Sequence, residues 1–144
     1  MTLEEMRHQQ AVEQVLIAYA STCDTRQWHE FENVFAADVT ANYGGDYTIA
    51  GRDNLVAMIR SMLGGCGATQ HLLGNFRIAI NGSQATCRCY VQANLVGVGD
   101  KSDMRYEVWA EYDDVLILKD GHWLICERKM IVLQELGSRD VLTP

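Results

Sequence analysis

The feature that most constrains this chain is a change of hydrophobic period near Ala68. Before it, apolar residues recur every three or four positions, the spacing of amphipathic helices. After it they alternate, the spacing of strands with one buried face. Tight-turn signals at Asn81-Gly82 and Asp120-Gly121, and a looser one over 97–102, divide the second half into four strands. These are expected near 68–80, 84–97, 104–118 and 122–135. Strands that long exceed the usual length of about five or six residues, so the sheet should bend or carry bulges. A short strand near 39–43 adds an edge. The only proline is Pro144, which leaves every strand free to pair.

Residues 3–23 read as an amphipathic helix burying Val12, Val15, Leu16, Tyr19 and Cys23. A second helix is expected from Thr25 to Ala36, with Trp28, Phe31, Val34 and Phe35 inward. A third spans Asp53 to Leu63 and carries Leu55, Val56, Met58, Ile59 and Met62. The run Gly64-Gly65-Cys66-Gly67 follows this helix instead of a strand and has no Lys-Ser/Thr pair, so it reads as a helix stop and linker. Helices in front and an antiparallel meander behind define an α+β class, with the helices packed on one sheet face over a pocket.

A chain of 144 residues is expected to form a single domain over 1–144. Twelve Lys and Arg against nineteen Asp and Glu give a net charge of −7, and no basic cluster offsets it, so nucleic acid is not an expected partner. No run approaches the ~20 apolar residues of a membrane helix. The start, Met1-Thr2-Leu3-Glu4-Glu5-Met6-Arg7, lacks the basic and apolar parts of a secretory signal, which points to the cytoplasm. Five cysteines at irregular spacing then read as reduced thiols. Cys87 and Cys89, two apart on a strand, read as small core residues.

Polar residues that interrupt apolar faces are the informative ones. The even positions of the last strand are Leu124, Cys126, Arg128, Met130 and Val132, and Arg128 is the one charge among them. It must meet a core carboxylate or a wet cavity, because burying it alone is prohibitive. Tyr19 lies on the apolar stripe of the first helix, so its hydroxyl needs a buried partner. Asp24 sits at the joint between the first two helices, where Asp24-Thr25-Arg26-Gln27 also fits a capping box. His71 falls early in the first long strand, where it could be a satisfied core residue or a base. The other histidines, His8, His29 and His122, form no metal-binding spacing, and no metal or cofactor is expected. No Gly-x-Ser-x-Gly elbow is present, and nothing near Cys66 in sequence would activate it.

Taken in order, these segments resemble the SnoaL-like family of the nuclear transport factor 2-like superfamily. The matching stretches are Tyr19…Asp24, Phe35-Ala36-Ala37-Asp38, Gly51-Arg52-Asp53 and Thr69-Gln70-His71-Leu72-Leu73-Gly74-Asn75. Glu111-Tyr112-Asp113-Asp114 and Asp120-Gly121-His122-Trp123…Arg128 extend the resemblance over roughly Leu3 to Leu136. It implies a cone-shaped α+β barrel, a strongly curved antiparallel sheet closed by N-terminal helices around a hydrophobic pocket. It also implies a site. In scytalone dehydratase, bile-acid 7α-dehydratase and hexachlorocyclohexane dehydrochlorinase a pocket His–Asp dyad drives elimination, and His71 and Asp24 match it. Arg128 matches the last-strand arginine of the latter two, and Tyr19 matches a pocket tyrosine of the dehydratases. The ketosteroid isomerase base would fall near Asn42 or Tyr43, which cannot serve. The Asp-Arg-Asp set of limonene epoxide hydrolase finds no match.

The implied function is a cofactor-independent lyase or isomerase, dehydratase-like, acting on a small apolar cyclic molecule such as a steroid, terpenoid or polyketide. Histidine is suited to removing a proton next to a carbonyl, with a carboxylate fixing its tautomer. Tyr19 and Arg128 would stabilise the developing negative charge. A polyketide cyclase would use the same base. A non-catalytic ligand-binding domain, or a subunit like the small subunit of ring-hydroxylating dioxygenases, is the competing class. The broad outer sheet face leads us to expect a homo-oligomer, a dimer or trimer.

Overall fold

In a computed structural model that describes residues 1–142, the chain begins with helix α1, Leu3–Thr25. Thr2 and Glu5 start it with reciprocal side-chain to backbone hydrogen bonds, so two of the free N–H groups at the helix end are satisfied. Its stripe buries Val12, Leu16, Tyr19, Ala20, Thr22 and Cys23. The expected second α-helix is only a 3₁₀ turn, Trp28–Asn33, because the chain passes directly into strand β1, Phe35–Asn42. Phe35 and Ala36 thus enter the core from a strand, with Phe31 fully buried beside them. β1 starts four residues earlier than expected and pairs with a two-residue strand β2, Ile49–Ala50. Helix α2, Arg52–Leu63, then follows the left-handed Gly51 and buries Leu55, Ile59 and Leu63.

The four long strands lie close to their expected positions: β3 Thr69–Asn81, β4 Gln84–Val96, β5 Arg105–Lys119 and β6 His122–Gly137. Asp120 and Gly121 both take positive φ, 51° and 79°, the backbone of the tight hairpin turn read from the sequence. The sheet runs β2-β1-β6-β5-β4-β3 and stays open, with β2 and β3 as edges. It is mixed and not wholly antiparallel, since β1 lies parallel to β6. The meander β3 to β6 is antiparallel throughout. Joining β1 to β6 brings the N-terminal third of the chain over the concave face.

Two bulges decide which side chains enter that face. In β3 the register slips between Gly74 and Arg77, where Asn75 has φ 53°. Before the slip His71 and Leu73 point inward; after it Phe76, Ile78 and Ile80 do. In β6 the register slips opposite Val115 and Leu116. Trp123 and Ile125 face the core before it, and Arg128, Met130 and Val132 face inward after it. The even row that placed Leu124 and Cys126 beside Arg128 is therefore corrected: the bulge changes the parity within the strand. Cys87 and Cys89 are core residues as read, at 0% and 1% exposure.

The end of β6 offers a direct check. An added Cβ at Gly137, with φ 84°, would run into the Arg105 carbonyl, whereas one at Gly82, with φ 63°, meets open space. Urea unfolding should show Gly82→Ala costing about 1 kcal/mol and Gly137→Ala at least about twice that. Equal losses would contradict the close approach of β5 to the end of β6.

Candidate active site

Asp24 occupies the last turn of α1, facing the first residues of β3 across the cone. It does not cap the next helix: that 3₁₀ segment begins after Gln27 and has no side-chain cap. Its carboxylate instead takes hydrogen bonds from β3. The Thr69 hydroxyl donates to Oδ1 at 2.9 Å and the His71 backbone N–H to Oδ2 at 2.9 Å. The His71 ring Nδ1 lies 2.7 Å from Oδ1. Burial alone would push the Asp24 carboxyl up, but the bonds and charge of His71 and the Thr69 hydroxyl outweigh it, holding the group below its ordinary value. An ionised carboxylate only accepts, so the shared proton belongs to Nδ1, and in the neutral ring that leaves the Nε2 lone pair bare. Nε2 has no hydrogen-bond partner among the described residues. The His71 side chain is 8% exposed and that of Asp24 is 22% exposed.

His71 contributes to the lining of a cavity of about 130 Å³ between the helices and the concave sheet. Met58, Ile59 and Met62 of α2, Val91 and Leu95 of β4, and Met130 and Val132 of β6 supply much of its apolar wall. An apolar cavity of roughly 150 Å³ accepts a benzene ring, so the space suits a small cyclic molecule. Tyr106 and Arg139 also line the cavity, and both bind Glu135. Among the described residues no group of three His, Cys, Asp or Glu side chains is placed to hold a metal ion.

Tyr19 lines the same cavity, its ring set edge-on to His71 with centroids 6.5 Å apart. Its hydroxyl is 2.8 Å from that of Tyr43, which also reaches the cavity from the chain just after β1. Burial pushes the Tyr19 and Tyr112 phenols well above their ordinary value and raises that of Tyr43. All three are therefore neutral hydroxyls able to donate.

Arg128 lies behind the tyrosines and is not part of the cavity lining. Its Nε and Nη2 bind the two Asp114 oxygens at 2.8 and 2.7 Å, with both side chains at 0% exposure. The guanidinium carbon lies 4.1 Å from the Tyr19 ring centre and 3.9 Å from that of Tyr112, and Nη1 donates to the Tyr43 hydroxyl at 3.4 Å. Burial alone would lower the arginine pKa, but the Asp114 carboxylate outweighs it and keeps the cation charged. Asp114, Tyr112 and Tyr43 were not singled out from sequence as site residues. Asp114 and Arg128 are paired in register across β5 and β6, so the only signal for their pairing was a strand alignment that the bulge obscured.

The comparisons with known proteins agree with this architecture. A model of the SnoaL-like domain matches residues 4–129. The chain belongs to that family. An uncharacterised protein of Mycobacterium tuberculosis is 26% identical over 130 residues, spanning 89% of this chain and 87% of its own. Among solved structures, a candidate scytalone dehydratase from Novosphingobium aromaticivorans superposes with a TM-score of 0.87 at 19% identity, covering 96% of this chain and 92% of that one. Hexachlorocyclohexane dehydrochlorinase LinA-type3 from Novosphingobium barchaimii gives 0.82 at 14% identity, covering 94% and 93%. At these identities the likeness establishes the shared α+β cone, and this SnoaL-like chain must be read from its own side chains.

Two tests follow from the buried charges. Asp114→Ala leaves Arg128 buried without its partner and should cost about 3–5 kcal/mol in urea unfolding. Replacing both, Asp114→Leu with Arg128→Met, should recover most of that loss; no recovery would contradict the desolvation account. Asp24 has a folded pKa below its unfolded one, so its contribution to stability is present above the unfolded value and is lost as pH falls through the folded value. Asp24→Asn should therefore flatten the fall of Tm with pH below about 4; an unchanged slope would count against the shift.

Proposed function

We propose that this SnoaL-like protein is a cofactor-independent lyase or isomerase of the dehydratase type, acting on a small apolar cyclic substrate. The observation that carries the reading is the unpartnered His71 Nε2 on an apolar cavity, with Nδ1 held by Asp24. A ring carbon next to a carbonyl, placed against Nε2, loses its proton to the imidazole. Asp24 keeps the ring in the productive tautomer and stabilises the imidazolium without itself taking the proton. Electron density moves onto the carbonyl oxygen, where one of the paired Tyr19 and Tyr43 hydroxyls can donate, the other spending its proton on the bond between them. A leaving hydroxyl or halide on the neighbouring carbon completes an elimination; return of the proton to another carbon completes an isomerisation.

Arg128 supports the same step from behind. Its charge lies against the Tyr19 ring and donates to the Tyr43 hydroxyl, so it favours negative charge in front of the phenols without touching substrate. That differs from the direct role implied by the family resemblance, and the buried pairing with Asp114 is the reason. The cavity's apolar wall favours a hydrophobic ring system, and the proposed chemistry is complete with the side chains present.

Proton abstraction can be tested before the natural substrate is known. Incubation with 2-tetralone in deuterium oxide should accelerate exchange at its acidic ring positions, read by proton NMR. His71→Gln should lower the protein-dependent rate by about 10²- to 10⁴-fold. Tyr19→Phe should lower it by about 10- to 10³-fold while the fold is retained. Exchange that survives His71→Gln unchanged would refute His71 as the base.

A further inference from the structure

Arg26 ends α1 in the left-handed conformation, φ 62°, a position that glycine fills more readily. Its side chain explains why an arginine is there. Nε donates to the Leu63 carbonyl at 3.0 Å, Nη2 to the Gly67 carbonyl at 2.7 Å, and Nη1 to the Cys23 carbonyl at 2.7 Å and the Thr69 hydroxyl at 2.7 Å. One guanidinium thus joins the ends of α1 and α2, the linker after α2 and the first residue of β3.

The contact with Thr69 has a directional consequence. A guanidinium has donors only, so the Thr69 oxygen must accept from it. The single hydroxyl proton is then directed to Asp24 Oδ1, 2.9 Å away. We propose that Arg26 is a positioning residue for the His71–Asp24 dyad, acting through the Thr69 hydroxyl. With this arm in place Asp24 accepts from the Thr69 hydroxyl, the His71 N–H and the His71 ring, and both of its oxygens are committed. The carboxylate cannot rotate without breaking one of them, which fixes the plane of the imidazole and aims Nε2 at the cavity. The Thr69 bond also lowers the proton affinity of Asp24, which helps keep the shared proton on Nδ1 as the ring becomes charged. The dyad is therefore a four-residue chain, Arg26 to Thr69 to Asp24 to His71, whose outer half touches neither cavity nor substrate.

Its meaning for turnover rests on the reading of His71 as the base, but it can be tested without substrate. The protein, labelled with carboxyl-¹³C aspartate and ¹⁵N histidine, gives the Asp24 titration and the His71 Hδ1 resonance, with Asp24→Asn assigning the first. Thr69→Val keeps the side-chain shape and removes the donor. It should raise the Asp24 midpoint by about one pH unit, the worth of one hydrogen bond to a charged group, and broaden the Hδ1 resonance. Thr69→Ser should restore both signals.

Arg26→Gln should reproduce the Thr69→Val shift, and the double variant should move the midpoint no further than either alone. A purely structural Arg26 would lower Tm and leave the Asp24 titration where it was. That outcome, additive shifts in the double variant, or an unmoved midpoint in Thr69→Val would each overturn the proposal. Loss of ketone exchange bears on the base assignment and not on this chain, since neither NMR readout uses substrate.

Discussion

The structure turns on one half-buried carboxylate that joins a helix to a sheet edge. β3 is an edge strand, and an edge strand's position is weakly specified by ladder bonds on one side alone. Asp24 supplies a second attachment, from the end of α1 to the Thr69 hydroxyl and the His71 backbone. The same group binds the His71 ring, so the contact that docks the helix on the strand also orients the site. Folding and the proposed chemistry are coupled here because an unpaired carboxylate at this depth would be costly, and the donors that satisfy it are those of the proposed dyad.

A second cluster holds a positive charge behind the place where the proposed reaction would develop negative charge. Arg128 and Asp114 are fully desolvated, which is tolerable only because the pair is bidentate and enclosed by aromatic faces. Their charges balance, yet they are not equally placed. The guanidinium lies against Tyr19 and donates to Tyr43, and those two residues line the cavity. The field of the cation is thus presented through neutral donors in a low-dielectric space, where fixed dipoles act strongly. Phe31 and Phe35 pack against the Tyr19 ring and complete its apolar support.

Much of the fold was legible because period is a direct reflection of geometry. The four long strands, α1 and α2 follow from spacing of three to four and of two, and the Asp120-Gly121 turn from residues that tolerate positive φ. The second helix failed because Trp28, Phe31, Val34 and Phe35 fit a helical stripe, while burial of Phe35 and Ala36 against β6 draws that stretch into a strand. The parallel pairing of β1 with β6 is long-range and leaves no local mark. Bulges were expected from strand length but could not be located, and each moves every later side chain to the other face. That is why Arg128 was placed with Leu124 and Cys126 instead of with Trp123 and Ile125.

The site was legible in a similar proportion. Tyr19 and Arg128 stood out as polar interruptions of apolar patterns and His71 and Asp24 through the family resemblance, and the structure gathers all four into one connected region of the cone. Tyr43, Thr69 and Arg26 look ordinary in sequence, since a tyrosine after a strand, a threonine in a strand and an arginine after a helix each have many innocuous uses. The roles proposed for them arise only through contacts made across the fold. The central claim is that Asp24 holds the His71 proton on Nδ1 and leaves Nε2 free to accept one. Long-range ¹H–¹⁵N spectra of the His71 ring at a pH where it is neutral test this most directly. A protonated Nδ1 and a bare Nε2 are expected; a ring protonated at Nε2 would contradict the account.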